Sequence, residues 1–382
     1  MSGKKISRKK RNGFVQDGKL DITFLSLILI LLTVGLVMLF SASYAYSYEN
    51  YGNSYRFILR QSGFAALGLV VMFACSKIDY HFWRKCTWLV FGAAIFLLIV
   101  LLILPPMVSG MDVKRWIVIG PLNFQPSEVA KFALILVFST LIAANQKMMN
   151  KPSFVLFLVA ILGVTCILVV LEPHLSATVL IFAIGIVLLI VGGIQKRYII
   201  GGAAGGVAML VLAITTGLIG YGSDRIKYWL DPWLDPKGEG YQTIQSLLAI
   251  GSGGVLGRGI GQSRQKYLWV PEPHNDFIFS IVCEELGLIG ATVIIILFAL
   301  LVWRGFTIAM RSPDKFGSLL AIGLTFQVGL QAMLNIWVVT NTIPNTGISL
   351  PFFSYGGTSL VILLAEMGII LSVSRGASMV KT

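Results

Sequence analysis

The sequence predicts an all-α polytopic membrane protein with ten transmembrane helices and a long extracytoplasmic loop between helices 7 and 8. Of its 382 residues, 56% are hydrophobic and only 12% are charged. A soluble globular protein carries about a quarter charged residues. Several apolar runs also approach or exceed the roughly 20 residues that a helix needs to cross a bilayer core.

The apolar runs place the ten helices and divide the chain. We expect spans at residues 21–44, 56–76, 87–106, 126–144, 153–171, 175–193, 198–219, 277–303, 316–340 and 354–374. The first run is long enough to span and lacks a small-residue cleavage site after it, so we expect no cleavable signal peptide. The predicted segments are a basic tail (1–20), the ten-helix membrane domain (21–374), the large extracytoplasmic loop within it (220–276) and a second tail (375–382).

Basic residues recur in alternate connecting segments. Because cytoplasmic loops are enriched in Lys and Arg, this pattern predicts that both termini are cytoplasmic. The formal charge of +13 is therefore mostly a topology signal, and nucleic acid is not an expected partner. The basic residues that set the pattern are Lys4, Lys5, Arg8, Lys9, Lys10, Arg11, Lys19, Lys77, Arg84, Lys85, Lys147, Lys151, Lys196, Arg197, Arg304, Arg311, Lys315, Arg375 and Lys381.

The long loop between helices 7 and 8 is predicted to carry function, because loops beyond about 15 residues usually do. It holds a cluster of basic residues that includes Arg225, Arg258 and Lys266. Its stretch YQTIQSLLAIGSGG has the periodicity of a short amphipathic helix lying in the membrane interface. The glycines of GSGGVLGRGIG are a candidate backbone nest for an anion.

The stretch WVPEPHNDFIFSIVCEELGLIG places polar groups at the mouth of a membrane helix. Glu272, His274, Asn275 and Asp276 precede the helix directly. Ionisable groups at such a position are costly and indicate a functional site, with Asp276 as a candidate catalytic residue. The alternative is that Asn275 or Asp276 caps the helix, which stabilises it by about 1 kcal/mol.

Three glutamates lie inside predicted membrane helices: Glu284, Glu285 and Glu366. A carboxyl at this depth must be paired, protonated or facing a polar cavity. None belongs to an obvious ligand set, and we favour hydrogen bonds between helices. The four cysteines lack the spacing of a zinc site and are expected to be small buried hydrophobes.

A second polar motif, RWIVIGPLNFQPSEVAKFALIL, opens the fourth predicted span. Pro126 has the position of a first helical residue, and Glu128 lies in the first turn, where the helix dipole favours an anion. Lys131 shares a helix face with Glu128 and can pair with it. The alternatives are an ion pair that fixes the helix start and an anion clamp formed by Arg115 and Lys131.

The segment NTIPNTGISLPFFSYGGTSL is rich in Pro and Gly, and it contains Ser354, a candidate substrate-binding residue. Irregular backbone near membrane depth must line protein or water, so we expect a re-entrant wall of a cavity. Glu172 and His174 mark another corner on the same side. A lone histidine in such a place is more often structural.

These motifs together resemble the SEDS family (shape, elongation, division and sporulation), the bacterial FtsW, RodA and SpoVE proteins. The matching blocks are RWIVIGPLNFQPSEVAK, the DPW…GYQTIQSLLAIGSGG…G block, VPEPHNDFIFSIVCEELG and PNTGISLPFFSYGGTSL. They extend over nearly the whole membrane domain. The PNTGI form is more similar to the division and sporulation branch than to the elongation branch.

The resemblance implies a ten-helix peptidoglycan glycosyltransferase that polymerises lipid II at the extracytoplasmic face of the bacterial membrane. It further implies work with a class B penicillin-binding protein and other division or sporulation membrane proteins. The family's essential aspartate falls on Asp276, and its polar helix-four motif falls on Glu128 and Lys131, with Arg115 just upstream. This chain has Asn275 where the family usually has Thr. Where many members read PDLGT, it reads Pro173, His174, Leu175, Ser176 and Ala177.

In the expected mechanism Asp276 is the base for the attacking hydroxyl. Arg115, Lys131, and also Arg225 or Arg258, stabilise the departing pyrophosphate. Glu272, His274 and Glu128 complete the candidate substrate site. A divalent cation, Mg²⁺ or Mn²⁺, could share the work, although no ligand set is evident, and no organic cofactor is expected.

Two rival functions use the same motifs. A lipid II flippase would pass the pyrophosphate through the same cavity and would need polar groups at depth that the cytoplasm can reach. Glu284, Glu285 and Glu366 are the candidates for such groups. A non-catalytic scaffold for the penicillin-binding protein would leave Asp276 replaceable.

Overall fold

The computed structural model describes residues 18–104, 115–119, 122–172, 174–195, 197–198, 227–267 and 269–379. Nearly all of the predicted seventh span, most of the N-terminal tail and the candidate Arg225 lie outside these residues. The described chain is helical except for loops and one small hairpin. Its α-helices are α1 (Ile22–Tyr51), α2 (Arg56–Lys77), α3 (His81–Lys85), α4 (Thr87–Ile103), α5 (Pro126–Ala144), α6 (Pro152–Leu171), α7 (Leu175–Gly192), α8 (Tyr241–Gly253), α9 (Ile278–Met310), α10 (Lys315–Val339) and α11 (Gly357–Met379).

The helices confirm the all-α membrane class. Eight of those described are long and apolar enough to cross a membrane, and α4 is apolar but shorter, at 17 residues. Nine of the ten predicted spans coincide with a described helix. Three helices run clearly further than predicted: α1 continues to Tyr51, α9 to Met310, and α11 to Met379 through residues assigned to the C-terminal tail.

The two ends of the bundle are recognised by their polar contacts. We call the end at which α9 begins the Asp276 end. At the opposite end, Asp21 caps α1 by accepting a hydrogen bond from the Phe24 N–H, and its carboxylate pairs with Arg304 at 2.8 Å. Because Arg304 lies late in α9, this pair fixes the antiparallel arrangement of α1 and α9.

The interior of the bundle is formed mainly by α5 and α10, the most buried of the membrane helices. α5 packs on α4, α7 and α10, while α11 lies along α2. Before α5, strands β1 (Ile117–Ile119) and β2 (Leu122–Phe124) pair antiparallel. This hairpin contacts the start of α11, because the Thr358 hydroxyl donates to the Asn123 carbonyl at 2.6 Å.

α9 is broken at Gly287, which has φ 67° and ψ −170°. A helix break leaves backbone groups without partners. Here the glycine-rich segment 254–261 supplies them, using four glycines with positive φ. The bonds are Arg258 N–H to Glu284 C=O, Gly259 N–H to Glu285 C=O, Leu288 N–H to Gly254 C=O and Ile289 N–H to Val255 C=O, all 2.9–3.2 Å.

Candidate functional site

The backbone leading into α9 is held by the irregular segment 340–356 and by α10. Its carbonyls accept three hydrogen bonds from outside their own stretch. The His274 carbonyl accepts from the Tyr355 N–H at 2.9 Å, and the Asn275 carbonyl from the Ser354 hydroxyl at 2.8 Å. The Asp276 carbonyl accepts from the Asn335 amide at 2.7 Å. The backbone position of Asp276 is therefore fixed from two other elements.

The Asp276 side chain is not a helix cap. The N-cap position of α9 is Phe277, and no side chain caps this helix. The Asn275 amide instead donates to the Glu272 carboxylate at 2.8 Å. Asp276 remains partly exposed, and its carboxylate makes no hydrogen bond with any described residue. The capping alternative is thus wrong for both residues, and Asp276 keeps its acceptor capacity.

The surroundings of Asp276 make its carboxyl a weaker acid than usual. Burial and the neighbouring Glu272 carboxylate raise its pKa, the charge of Arg115 lowers it, and the net result is a pKa of about 6. Desolvation disfavours the charged form, and a nearby like charge does the same. A carboxyl with a pKa near 6 exchanges protons close to neutral pH, which suits a general base.

Glu128 and Lys131 form the ion pair that their spacing predicts, 2.9 Å between Lys131 Nζ and Glu128 Oε1. The lysine is buried, with 1% of its side chain exposed, and it also donates to Gln331 on α10 at 3.1 Å. Both charges lie at the Asp276 end of the bundle. The pair therefore joins α5 to α10 and keeps a positive charge in the protein interior.

His174 lies in the same corner as these charges. Burial lowers its pKa to about 3, and the positive charges of Arg115 and Lys131 lower it as well. Its ring nitrogens lie 3.4–3.5 Å from the Gln125 amide and the Ser127 hydroxyl. The imidazole is therefore neutral, and the corner contains two cations.

The cationic corner and Asp276 are connected through one short stretch. The Ser176 hydroxyl donates to the Thr346 carbonyl. The next residue, Gly347, has φ 69°, and a Cβ there would lie in tight contact with Asp276, 3.2 Å from the Asp276 Oδ2. The structure thus brings Arg115, Glu128, Lys131 and Asp276 to one region.

The other candidates in this stretch have different surroundings. His274 is buried among aromatic rings, with ring centroids 4.3 Å from Phe57 and 4.9 Å from Tyr46, and burial lowers its pKa to about 4. Its ring supports the Asp276 stretch by packing. Ser354 also has a supporting position, because its hydroxyl accepts from the Leu350 N–H while donating to the Asn275 carbonyl. Glu272 is exposed beside the recess.

Glu284 and Glu285 are paired, which the sequence analysis gave as one of three possibilities. Both are buried, and the segment 261–266 surrounds them with donors. The Glu284 carboxylate accepts from the Arg264 N–H at 2.9 Å and lies 3.6 Å from Arg258. The Glu285 carboxylate accepts from the Gly261 N–H at 2.9 Å and pairs with Lys266 at 3.0 Å. The anions facing this glycine-rich loop are the chain's own carboxylates.

Glu366 is also buried, and it accepts from the Gln327 amide of α10 at 3.0 Å. This is the hydrogen bond between helices that we favoured for the buried glutamates. Glu284, Glu285 and Glu366 are therefore all buried and hydrogen-bonded within the protein, so none of them lines an open route for a lipid headgroup through the described helices. Glu172 is 1% exposed, and burial raises its pKa to about 8.

Sequence reasoning missed the polar stripe of α10. Gln327, Gln331 and Asn335 follow at four-residue intervals and contact Glu366, Lys131 and the Asp276 carbonyl in turn. Residues at this spacing share one helix face. Three amides on one face of an otherwise apolar membrane helix are a readable signal for an interior polar site.

The described residues do not form a metal site by themselves, since no group of three or more His, Cys, Asp or Glu side chains among them is arranged to hold a metal ion. Mg²⁺ is often held by one or two carboxylates together with phosphates of the substrate. Asp276 is a carboxylate with free acceptor capacity and would suit that arrangement as a single ligand.

Fold and site define a class: a polytopic membrane protein with a partly exposed carboxylate and two cations, one of them buried, at one end of its helix bundle. Comparison with known families is consistent with this class. The chain belongs to the FtsW/RodA/SpoVE family of cell cycle proteins, whose model matches residues 22–379.

Curated relatives match over nearly their whole length. Stage V sporulation protein E of Bacillus subtilis (strain 168) is 40% identical over 361 residues, covering 93% of this chain and 97% of that protein. A probable peptidoglycan glycosyltransferase FtsW of Geobacter sp. (strain M18) is 38% identical, covering 94% and 98%.

Solved structures share the fold. One, described as structural coordination of polymerization and crosslinking by a peptidoglycan synthase complex, aligns with a TM-score of 0.79 at 28% identity, covering 94% of this chain and 98% of that one. The rod shape determining protein RodA of Thermus thermophilus aligns with a TM-score of 0.69 at 26% identity, covering 93% and 97%.

Proposed function

We propose that this protein is a peptidoglycan glycosyltransferase that polymerises lipid II into glycan strands for cell division or sporulation. Relatives at 36–40% identity are named for this activity or for sporulation. The observation that carries the proposal is the Asp276 carboxyl, which is partly exposed, free of hydrogen bonds with the described residues and carried on a backbone that Asn335 holds in place.

Asp276 acts as the general base in this proposal. Glycosyl transfer requires removal of a proton from the attacking sugar hydroxyl as the new bond forms, and a positioned carboxylate can accept it. The Asn335 amide and the Ser354 hydroxyl hold the backbone on both sides of the base. Such positioning lowers the entropic cost of bringing the hydroxyl and the base together.

Positive charge near Asp276 stabilises the departing pyrophosphate. Arg115 is close enough to influence the pKa of Asp276, and it shares the His174 corner with Lys131. Charges fixed in advance in a region of low dielectric stabilise a developing anion more than water does. Glu128 neutralises part of the Lys131 charge. We assign the stabilisation of the leaving group to both cations, with Lys131 acting from the protein interior.

The orientation follows from the alternating basic segments. We place both termini in the cytoplasm and the Asp276 end at the outer face of the membrane, where lipid II presents its sugars. We keep residues 21–374 as the membrane domain and 220–276 as its extracytoplasmic loop. A class B penicillin-binding protein is the proposed partner, together with other membrane proteins of division or sporulation.

A divalent cation, if the reaction uses one, would be held by Asp276 and by substrate phosphates. It would supply positive charge to the leaving group. No step of the proposed mechanism depends on it, because Arg115 and Lys131 already provide positive charge in the same region.

The test is glycan polymerisation from lipid II by the purified protein with its cognate penicillin-binding protein. Penicillin silences cross-linking, so that only strand synthesis is measured. We expect long strands from the parent and none from Asp276→Ala or Asp276→Asn, with both variants still folded and bound to the partner. Equal strand synthesis by all three proteins would contradict the assignment of Asp276.

The same preparation separates the rival functions. Reconstituted in liposomes, a flippase would move lipid II across the membrane without making strands. A scaffold would do neither, and it would still bind the penicillin-binding protein. We expect neither result, because the buried glutamates Glu284, Glu285 and Glu366 are occupied by the protein's own donors.

A further inference from the structure

A cleft opens on the surface at the Asp276 end, away from the base. It has a volume of about 310 Å³ and lies between the last turns of α1 and the long loop. α1 contributes Tyr44, Ala45, Tyr48 and Glu49, and the loop contributes Tyr267. The three tyrosines are 43%, 63% and 55% exposed, so their rings are available to a ligand.

The two walls of the cleft are joined by a buried polar network. Lys266, next to Tyr267, is 3% exposed and donates to Glu285 and to the Ser41 hydroxyl at 3.0 Å each. Ser41 lies on α1, one turn before Tyr44, and its hydroxyl also donates to Glu285. Burying an ion pair costs desolvation energy and is weak evidence for stability alone. Here the network has a geometric consequence, since it sets Tyr267 against Tyr44 and Tyr48.

The lining has the chemistry of a carbohydrate site. Tyrosine rings are flat apolar surfaces with a polar tip. A pyranose ring has the matching character, with C–H faces that lie on an aromatic ring and hydroxyls around its edge. The Glu49 carboxylate, exposed at the same cleft, accepts hydrogen bonds from such hydroxyls.

We propose that this cleft binds the sugar chain that the protein makes and guides the growing strand away from Asp276. The proposal rests on the proposed function and extends it to a second site. The cleft and the base lie on different faces of α1, because Tyr46, whose ring contacts that of His274, lies on the opposite side of the helix from Tyr44 and Tyr48. A strand that leaves Asp276 passes the end of α1 to reach the cleft, at the same end of the bundle.

Tyrosines near the end of a membrane helix also occur as interfacial anchors. Two features separate the cleft from an anchoring belt. Its rings line one concave surface together with a carboxylate, and one of them comes from a loop held in place by buried charges. Tyr55 is a matched control, because it is 57% exposed near the same end of the bundle but does not line the cleft.

Strand length and sugar binding test the proposal. We compare the parent with Tyr48→Ala, Tyr267→Ala, Glu49→Gln and the control Tyr55→Ala in lipid II polymerisation, and we titrate each with a soluble peptidoglycan tetrasaccharide by saturation-transfer NMR. We expect about fivefold weaker tetrasaccharide binding for each ring removed. Strands should be shorter in the three cleft variants, while the initial rate of lipid II consumption stays near that of the parent.

The outcomes distinguish this site from the proposed function. If the parent makes strands and the cleft variants match it in strand length and in tetrasaccharide binding, the site is wrong and the glycosyltransferase stands. The site is also wrong if Tyr55→Ala shortens strands as much as the cleft variants do. If the parent makes no strands but the cleft variants lose tetrasaccharide binding, the sugar site stands and the proposed function fails.

Discussion

Two neighbouring regions of the chain, the approach to α9 and its first turns, differ in how their carboxyl groups are hydrogen-bonded. The carboxylate of Asp276, just before α9, makes no hydrogen bond with the described residues and lies beside another acid. Glu284 and Glu285, two turns further on, are surrounded by backbone N–H groups, two serine hydroxyls and the side chains of Arg258 and Lys266. All three groups are partly or fully removed from water, yet only the glutamates are satisfied.

The difference indicates how the fold uses its acids. A buried carboxylate with a full set of donors stabilises one conformation of the chain around it. A carboxylate that is fixed in place but has no donors keeps its capacity to accept a proton or a hydrogen bond from a ligand. We therefore expect changes at Glu285 to act on stability and changes around Asp276 to act on activity.

The largest effect on stability is expected from Glu285→Ala. The change leaves Lys266 buried without a carboxylate, which costs about 3–5 kcal/mol of the free energy of unfolding. Equilibrium unfolding in detergent measures it. The double variant Glu285→Leu/Lys266→Met removes both charges and should recover most of the loss. If Glu285→Ala unfolds like the parent, the network does not hold the loop.

Removal of the Asn335 amide should lower activity and also cost stability, because the side chain is fully buried and its loss leaves two carbonyls without a donor. Asn335→Ala frees the Asp276 and Ile348 carbonyls and lets the base move. A displacement of about 1 Å in an active site can reduce the rate about a hundredfold. The rate of lipid II polymerisation measures it, with Met333→Ala, an exposed position on the same helix, as the control. If Asn335→Ala polymerised lipid II as fast as the parent, the hydrogen bond from Asn335 to the Asp276 carbonyl would have no role in catalysis.

The pH profile of polymerisation should move when the neighbours of Asp276 change. The base works only when deprotonated, so activity should rise with pH through about 6. Glu272→Gln removes a charge that raises the pKa of Asp276, and the acidic limb should shift to lower pH. Arg115→Gln removes a charge that lowers this pKa, and the limb should shift to higher pH. If the acidic limb of the pH–activity profile lay at the same pH in all three proteins, a group other than Asp276 would set it.

The smallest effect is expected at the opposite end of the bundle. His81 lies 2.7 Å from Asp79 and 2.8 Å from Asp314, and these hydrogen bonds raise its pKa to about 9. Its contribution is complete below the unfolded pKa of about 6.5 and is lost as pH rises through about 9. The parent should lose melting temperature between pH 6 and pH 9.5, and this loss should be about 2 °C smaller in His81→Gln. An unchanged difference would exclude His81 as the titrating group.

The sequence predicted the membrane helices well, because long apolar runs have few alternatives to spanning a bilayer. It also predicted the Glu128–Lys131 pair, since helical spacing alone brings these side chains together. The end of α1 was placed too early because the tyrosine-rich turns after residue 44 are less apolar, although they remain helical up to Gly52, which has φ 65°.

The rest of the site depends on contacts between segments far apart in the chain. The sequence left the Asp276 cap open, because only the structure shows that the carbonyl of Asp276 is held by Asn335 while its carboxylate is not used. The partners of Glu284 and Glu285 come from the loop before α9 and from α1. The loop before α9 packs into the helix break at Gly287. Because no proline marks this break, it could not be predicted from the sequence.

The most direct test of the central claim compares Asp276→Asn with Glu285→Gln for two quantities, the polymerisation rate and the midpoint of thermal unfolding in the same detergent. The substitutions keep the size of each side chain and remove one charge. We predict that Asp276→Asn polymerises at least about a hundredfold more slowly than the parent and unfolds at the same midpoint. Glu285→Gln should unfold at a lower midpoint than the parent, and its rate should be less affected than that of Asp276→Asn. If Asp276→Asn unfolds early or retains its rate, Asp276 is a structural residue and the account is wrong.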